Sequence, residues 1–183
     1  MNHLIEAKRR LRQEIRELKR AQDDAVLSHR STVLCQRMLS HPRVASARVV
    51  LAYHSLSDEV DTHALLDRLW CVGKEVLLPQ VTGAASMVLR KYEGKDSLRE
   101  GAYGIMEPIG PLFTAYDSID VALIPGMAFD AGGCRLGRGK GYYDRLLPLM
   151  PRTYKIGICH AFQFVASVPH ECHDITMDEV QRA

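Results

Sequence analysis

Apolar residues in the first forty positions recur at helical spacing. In an otherwise charged segment they form one stripe: Leu4, Leu11, Ile15 and Leu18. This pattern predicts an amphipathic helix with a single buried face. A second apolar face spans residues 26–39, with Asp23 or Asp24 as its helix cap and His41-Pro42 as its end. Two helices are therefore expected before the first strand.

Short apolar runs rich in β-branched residues follow the two helices. These runs lie at 48–53, 76–78, 87–89, 121–124 and 154–158. A continuous apolar run is typical of a strand that is covered on both faces in a parallel sheet. Residues 62–71 have the pattern of a helix between the first two runs, which gives the strand, helix, strand order of a parallel crossover.

The segment 93–120 contains four glycines and two prolines without a sustained period. It is predicted to be a long connection over one end of the sheet. Together these elements predict an α/β fold, built as a three-layer α/β/α sandwich with a mostly parallel sheet. We expect a single domain over residues 1–183, because no linker or internal repeat interrupts the pattern.

Composition and charge narrow the possible functions only slightly. The chain has 183 residues, of which 46% are hydrophobic, and its formal net charge is +2. This balance does not indicate a nucleic-acid partner. No apolar run reaches the roughly 20 residues of a spanning helix, so no membrane partner is expected. The five cysteines are widely spaced and never form C-x-x-C, so we predict free thiols in a cytoplasmic protein, which we expect to be a monomer.

The segment 135–145, R-L-G-R-G-K-G-Y-Y-D-R, has the richest chemistry in the chain. Its alternate glycines let backbone N–H groups approach an anion closely, and Arg138 and Lys140 add positive charge. A helix that starts near Tyr142 would direct its positive end toward the same anion. These features predict a phosphate-binding loop.

Known phosphate motifs do not match this loop. A P-loop needs Ser or Thr where Gly141 stands, and G-x-G-x-x-G needs glycine at Tyr142. Glycines and cations alone would favour a flexible, solvated basic turn. The adjacent aromatic pair and Asp144 favour a nucleotide site, because aromatic rings stack on heterocycles and a carboxylate can ligate Mg2+.

The motif R-L-G-R-G-K-G-Y-Y-D after P-G-x-x-F-D resembles the signature of the 5-formyltetrahydrofolate cyclo-ligase family, also called methenyltetrahydrofolate synthetases. The similarity continues in order along nearly the whole chain. It includes residues 7–12, 58–62 and 101–108, Asp174 and residues 178–179.

The resemblance implies an ATP site and a folate site. The residues implied to bind ATP are Lys8, Arg12, Arg135, Leu136, Gly137, Arg138, Gly139, Lys140, Gly141, Tyr142 and Tyr143. Those implied to bind the folate substrate are His54, Glu59, Arg138, Gly139, Lys140, Gly141 and Tyr142, with Glu59 on the pterin. Position 54 is commonly apolar in the family, so His54 is a departure. Lys8 and Arg12 are also i, i+4 neighbours, which lets both project from one edge of the first helix.

The resemblance implies Mg2+ as a cofactor, with Asp144 and Asp174 as its ligands. Residues 170–173, H-E-C-H, lie beside Asp174, but they lack the i, i+4 histidine spacing of a helical zinc site. The implied reaction is ATP-dependent ring closure of 5-formyltetrahydrofolate to 5,10-methenyltetrahydrofolate through an N5-iminium phosphate. Its catalytic residues would be Arg138, Lys140 and Tyr142, which position the reactants and neutralise charge.

Two other classes of function remain open from the residues. A folate or nucleotide sensor would keep the same pocket without turnover. An RNA-binding protein would contact phosphates with the basic residues of the first helix, Arg9, Arg10, Arg16, Lys19 and Arg20. The near-neutral net charge disfavours the RNA-binding interpretation.

Overall fold

The computed structural model describes residues 2–83, 86–101, 106–171 and 174–183. Its helices are α1 (Asn2–Arg20), α2 (Asp24–Ser40), α3 (Pro42–Ser46), α4 (His63–Cys71) and α5 (Tyr142–Leu146). Its strands are β1 (Val49–Leu51), β2 (Glu75–Val81), β3 (Met87–Tyr92), β4 (Leu98–Glu100), β5 (Met106–Pro108), β6 (Leu112–Phe113), β7 (Val121–Pro125), β8 (Ala128–Phe129), β9 (Arg135–Leu136), β10 (Tyr154–Cys159) and β11 (Glu179–Arg182). Short 3-10 turns occupy Lys95–Ser97, Tyr116–Ser118, Leu147–Leu149 and Ala161–Gln163.

Seven strands form the central sheet, in the order β11-β10-β7-β1-β2-β3-β6. The pairings from β11 to β2 are all parallel, whereas β3 and β6 add antiparallel strands at one edge. The strands β1 and β7 are direct neighbours, with Val50 opposite Val121. The prediction of a mostly parallel α/β sheet is confirmed.

Apolar side chains cover both faces of the sheet, as the continuous apolar runs predicted. On one face α2, α3 and α4 pack on the strands, with Leu34, Leu66 and Val76 in the buried cluster. The other face is covered by α5, the following 3-10 turn and coil, with Phe129 and Leu147 buried there. Ile15 of α1 packs on a third, smaller cluster beside β8 and β9. The helix α1 therefore lies against the loops at one end of the sheet.

The N-terminal helices lie where the sequence places them. Asp23 is the cap of α2, because its Oδ1 accepts hydrogen bonds from the N–H groups of Ala25 and Val26. The helix α2 ends at Ser40, directly before His41, as predicted. The short helix α3 was not predicted, because five residues that begin with proline contain too little periodicity to identify a helix.

The prediction for residues 93–120 was wrong in part. In its described residues, 93–101 and 106–120, the segment includes the strands β4, β5 and β6 and two 3-10 turns. The strands β4 and β5 pair antiparallel over three residues, and β6 pairs with β3 over two. Such short ladders show no clear alternation, so the turn residues dominate the pattern. The strand β11, which pairs with β10 in the polar C-terminal tail, was missed for the same reason.

Several sequence interpretations fall on residues that the structure does not describe. These residues are 102–105 of the family-like segment, together with Cys172 and His173. Within the described residues, no helix is long and apolar enough to cross a membrane.

Candidate active site

A cleft opens at the carboxyl ends of β1 and β7, where parallel α/β sheets usually bind ligands. The residues that line it are Glu59, Met87, Pro125, Gly126, Arg135, Gly137, Arg138, Lys140, Gly141, Tyr142, Tyr143 and Asp144. One wall is the β1–α4 loop, residues 52–62. The opposite wall is the glycine-rich loop, residues 135–145. The volume of the cleft is about 160 Å³, which is below the roughly 300 Å³ at which ligand pockets usually begin.

Buried hydrogen bonds hold the β1–α4 loop. The Thr62 hydroxyl donates to the Tyr53 carbonyl at 2.6 Å, and the Thr62 N–H donates to Ser55 Oγ at 3.1 Å. The Tyr53 hydroxyl, which is itself buried, donates to the Val60 carbonyl at 3.3 Å. These bonds join the two ends of the loop to each other, so the loop presents its side chains from a fixed frame.

Glu59 is the carboxylate that this frame presents to the cleft. Its Oε2 accepts the Leu56 N–H at 3.0 Å, and its Oε1 accepts Arg138 Nη2 at 3.1 Å. The Glu59 side chain is only 12% exposed, and this burial raises the pKa of its carboxyl above the ordinary value, against the opposing effects of the Leu56 and Arg138 hydrogen bonds. One oxygen is therefore oriented by the backbone while the other faces the cleft.

The glycine-rich loop takes its shape from two left-handed glycines and two arginines. Gly139 and Gly141 have φ of 99° and 67°, a region that favours glycine. Behind the loop, Arg12 Nε donates to the Gly137 carbonyl at 2.8 Å, and Arg145 Nη2 donates to the Lys140 carbonyl at 2.6 Å. The position of Arg12 agrees with the expectation that its side chain projects from one edge of α1. Sequence reasoning did not single out the contact of Arg145.

Arg135 lies almost fully buried along the wall of the cleft. Its side chain is 5% exposed, and its Nη2 pairs with Asp144 Oδ1 at 2.5 Å. The guanidinium carbon lies 5.3 Å from the centroid of the Tyr143 ring. Its buried Nε has no hydrogen-bond partner among the described residues. A buried donor that lacks a partner suits a site that receives an anionic ligand.

Three further ion pairs join residues that are far apart in sequence. Lys8 of α1 pairs with Asp174 at 2.9 Å, across 166 positions. Arg138 reaches from the glycine-rich loop to the β1–α4 loop, where it pairs with both Asp58 and Glu59. Each of these cations thus has a carboxylate partner that the protein itself supplies.

Lys140 is the exception among the cations of the cleft. Its side chain is exposed, and it has no ion-pair or hydrogen-bond partner in the described part of the chain. Lys140 therefore offers an uncompensated positive charge to the cleft.

Tyr142 connects the glycine-rich loop to the turn after β2. Its hydroxyl donates to the Gly83 carbonyl at 3.3 Å.

Some residues that the resemblance implied lie away from this lining. Leu136 is buried under the loop, and Gly139 packs against Arg12. His54 stacks on His63, with ring centroids 4.0 Å apart, and lines a separate pocket with Leu66. Burial, followed by the nearby His63, lowers the pKa of His54 to about 4.

Four residues at the cleft were not identified as site residues from the sequence. Pro125 and Gly126 stand inside the P-G-x-x-F-D segment, which was the available signal for them. Met87 begins a strand and carried no signal. Asp58 precedes Glu59, and only the structure shows that it shares Arg138.

Comparison with known proteins agrees with the resemblance seen in the motifs. A relative from Escherichia coli K12, named 5-formyltetrahydrofolate cyclo-ligase, is 34% identical over 154 residues, which cover 79% of this chain and 82% of the relative. A Mycolicibacterium smegmatis relative with the same name is 37% identical over 142 residues, or 74% of this chain and 73% of its own length.

A solved structure shows the same fold over nearly the whole chain. The NMR structure of Aquifex aeolicus 5,10-methenyltetrahydrofolate synthetase is 31% identical and superposes with a TM-score of 0.84, covering 96% of this chain and 89% of its own. The profile of the 5-formyltetrahydrofolate cyclo-ligase family matches residues 4–182. The chain belongs to the 5-formyltetrahydrofolate cyclo-ligase family.

Proposed function

We propose that this protein is the enzyme that closes 5-formyltetrahydrofolate to 5,10-methenyltetrahydrofolate, with ATP converted to ADP and phosphate. Family membership supports the activity. The observation that carries it in this chain is the cleft between Glu59 and Lys140, where a largely buried carboxylate faces a cation of the glycine-rich loop that has no partner in the described part of the chain. Such a cleft suits a substrate with ring N–H donors on one side and phosphates on the other.

The glycine-rich loop binds the phosphates of ATP in this proposal. Its glycines let backbone N–H groups approach the phosphates, and Lys140 and Arg138 supply charge from the same loop. The buried Nε of Arg135, which lacks a partner among the described residues, adds a donor. Arg12 supports the loop from behind, through the Gly137 carbonyl.

The two carboxylates implied as magnesium ligands suit this ion by their chemistry. Asp144 and Asp174 are hard oxygen donors, and each already neighbours a cation, Arg135 and Lys8 respectively, that a phosphate can accept as a partner. No three His, Cys, Asp or Glu side chains of the described chain gather into a metal cage. A set of one or two carboxylates completed by phosphates is how Mg2+ usually binds with nucleotides. When bound, Mg2+ would neutralise charge on the transferring phosphoryl group.

In the first chemical step, the formyl oxygen attacks the γ-phosphorus of ATP and ADP leaves, which gives an N5-iminium phosphate. In the second step, N10 attacks the same formyl carbon, loses its proton, and inorganic phosphate departs as the ring closes. Glu59 orients the pterin, while Arg138 and Lys140 neutralise the charge on the transferring group. Tyr142 bounds the cleft between the two substrates.

The proposal is tested by the absorbance of the methenyl product. The protein is mixed with 5-formyltetrahydrofolate and Mg2+, with and without ATP, and ADP release is measured in parallel. Growth of the methenyl absorbance only with ATP, with one ADP for each ring closed, is the expected result. Folate binding without turnover would reject the enzyme and favour a sensor that keeps the same pocket.

A further inference from the structure

Arg138 connects the two walls of the cleft through two neighbouring carboxylates that differ in exposure. Its Nη2 donates to Asp58 Oδ1 and to Glu59 Oε1, and its Nε also donates to Glu59 Oε1 at 3.3 Å. The Asp58 side chain is 39% exposed, whereas that of Glu59 is 12% exposed. Glu59 lines the cleft, and Asp58 stands outside this lining. The guanidinium of Arg138 therefore spans the boundary between cleft and solvent.

This arrangement sets Arg138 and the folate in competition for one oxygen. Glu59 Oε2 accepts the Leu56 N–H, and both lone pairs of Oε1 are used by Arg138, which donates to it from Nη2 and from Nε. A pterin that donates N–H groups to both oxygens of Glu59 must therefore take the place of at least one Arg138 bond at Oε1.

We infer that Asp58 is a positioning residue that keeps Arg138 at the mouth of the cleft when the folate takes Glu59. This inference rests on the proposed function. Because Asp58 already holds Nη2, Arg138 can leave Glu59 without losing its last carboxylate partner. The folate then breaks one of two ion pairs, and Arg138 stays close to the phosphates that it must reach. Bound ATP supplies a second source of negative charge to Arg138, so Asp58 matters most before the nucleotide binds.

The test is the affinity for 5-formyltetrahydrofolate in Asp58→Asn, which removes the charge but keeps the shape. The dissociation constant without nucleotide should rise about fivefold, which corresponds to the upper range measured for exposed ion pairs. With a saturating non-hydrolysable ATP analogue and Mg2+, the rise should shrink to about twofold or less. In turnover assays the KM for the folate should rise while kcat stays within about twofold.

A double-variant cycle distinguishes positioning from a general structural effect. In the Arg138→Gln background, Asp58→Asn should weaken folate binding no further, because its partner is already gone. Asp58→Glu should recover part of the lost affinity. Asp117→Asn, which removes one negative charge from an exposed turn, should leave the folate affinity unchanged.

Two outcomes would overturn the inference. An unchanged folate affinity in Asp58→Asn would show that Arg138 leaves Glu59 equally well without the Asp58 carboxylate. An equal loss in the Arg138→Gln background would show that Asp58 acts through another group. Failure of the wild-type protein to bind the folate would reject the proposed function as well, whereas wild-type turnover with an unaffected Asp58→Asn variant would reject only the role of Asp58.

Discussion

The two walls of the cleft are held by different kinds of contact. The β1–α4 loop is held by buried hydrogen bonds, such as that from Thr62 to Tyr53. The glycine-rich loop is held by contacts of arginine side chains, which include partly exposed ion pairs such as Arg138 with Asp58 and hydrogen bonds to loop carbonyls such as Arg12 with Gly137. A buried hydrogen bond is costly to leave unmade, whereas an exposed ion pair contributes about 0–1 kcal/mol. The β1–α4 loop therefore forms a fixed wall that is suited to recognition. The glycine-rich loop forms an exchangeable wall, because it can give up its partners for a ligand.

Lys140→Ala should produce the largest effect and should act on activity alone. The side chain lies on the exchangeable wall without a partner among the described residues, so its loss removes charge from the cleft and no packing. We expect kcat/KM to fall on the order of 100-fold, while the free energy of unfolding changes by less than about 0.5 kcal/mol. Turnover assays and urea denaturation measure the two quantities.

The matched control for Lys140 is Lys91→Ala, a lysine on β3 that pairs with Glu75 and does not line the cleft. Its kcat/KM should remain within about twofold of the wild-type value. An equal loss of activity and stability in Lys140→Ala would remove Lys140 from the proposed phosphate site.

Thr62→Val should have the opposite effect on the fixed wall. Valine keeps the shape of the buried side chain but cannot donate to the Tyr53 carbonyl. The free energy of unfolding should fall by about 1–3 kcal/mol, with kcat of the folded protein within about threefold. Thr32→Val removes a similar bond to the Ser28 carbonyl on an exposed helix surface and should cost less than about 0.5 kcal/mol. Similar losses in both variants would contradict the difference between the walls.

Asp144→Asn tests whether an ion pair of the exchangeable wall gives way to a metal. The variant loses a charged oxygen ligand and also the charge that now holds Arg135. The Mg2+ concentration for half-maximal activity should rise on the order of tenfold. Asp24→Asn, at an exposed carboxylate that pairs with Lys19, should leave the Mg2+ titration unchanged. A wild-type titration in Asp144→Asn would rule out this ligand.

The smallest expected effect is a pH dependence from His54, behind the fixed wall. Burial and the neighbouring His63 lower its pKa from 6.5 to about 4. Between these values the unfolded chain binds a proton that the native protein does not, so stability is lost as the pH falls through this window. As the pH falls from 7 to 4.5, the urea midpoint of the wild type should fall more steeply than that of His54→Gln, so that the two midpoints converge or cross. An equal fall of both midpoints would contradict the lowered pKa of His54.

Much of the fold was predictable because its signals are local. The cap at Asp23 and the stripe of α1 are set by residues a few positions apart. The cap lies where the sequence placed it, and Ile15 of the stripe is buried, but Leu18 at the end of the stripe is exposed. The apolar strands of the parallel sheet were recognised for the same reason. The ladders of β4, β5 and β6 were not, because two or three residues do not establish a period and their pairing depends on distant partners.

The site was predictable to the extent that its chemistry lies in one segment. Arg138 and Lys140 line the cleft as the glycine-rich motif indicated, and Glu59 faces them from the other wall. The pairing of Lys8 with Asp174 was not predictable from charge, because many cations and carboxylates in this chain are equivalent at the level of sequence. The resemblance implied a folate contact at position 54, where His54 departs from the family pattern, and the structure turns its ring toward His63.

By itself the sequence determined the order of most helices and strands and the glycine-rich, basic character of residues 135–145, since periodicity, glycine content and charge act over short distances. Only the tertiary structure decided which carboxylate holds each cation. The parallel order of β1 beside β7 brings Asp58 and Glu59 to Arg138 across about eighty positions of chain, and α1 brings Lys8 to Asp174. Such contacts arise because sheet packing places loops side by side, whatever their distance in sequence.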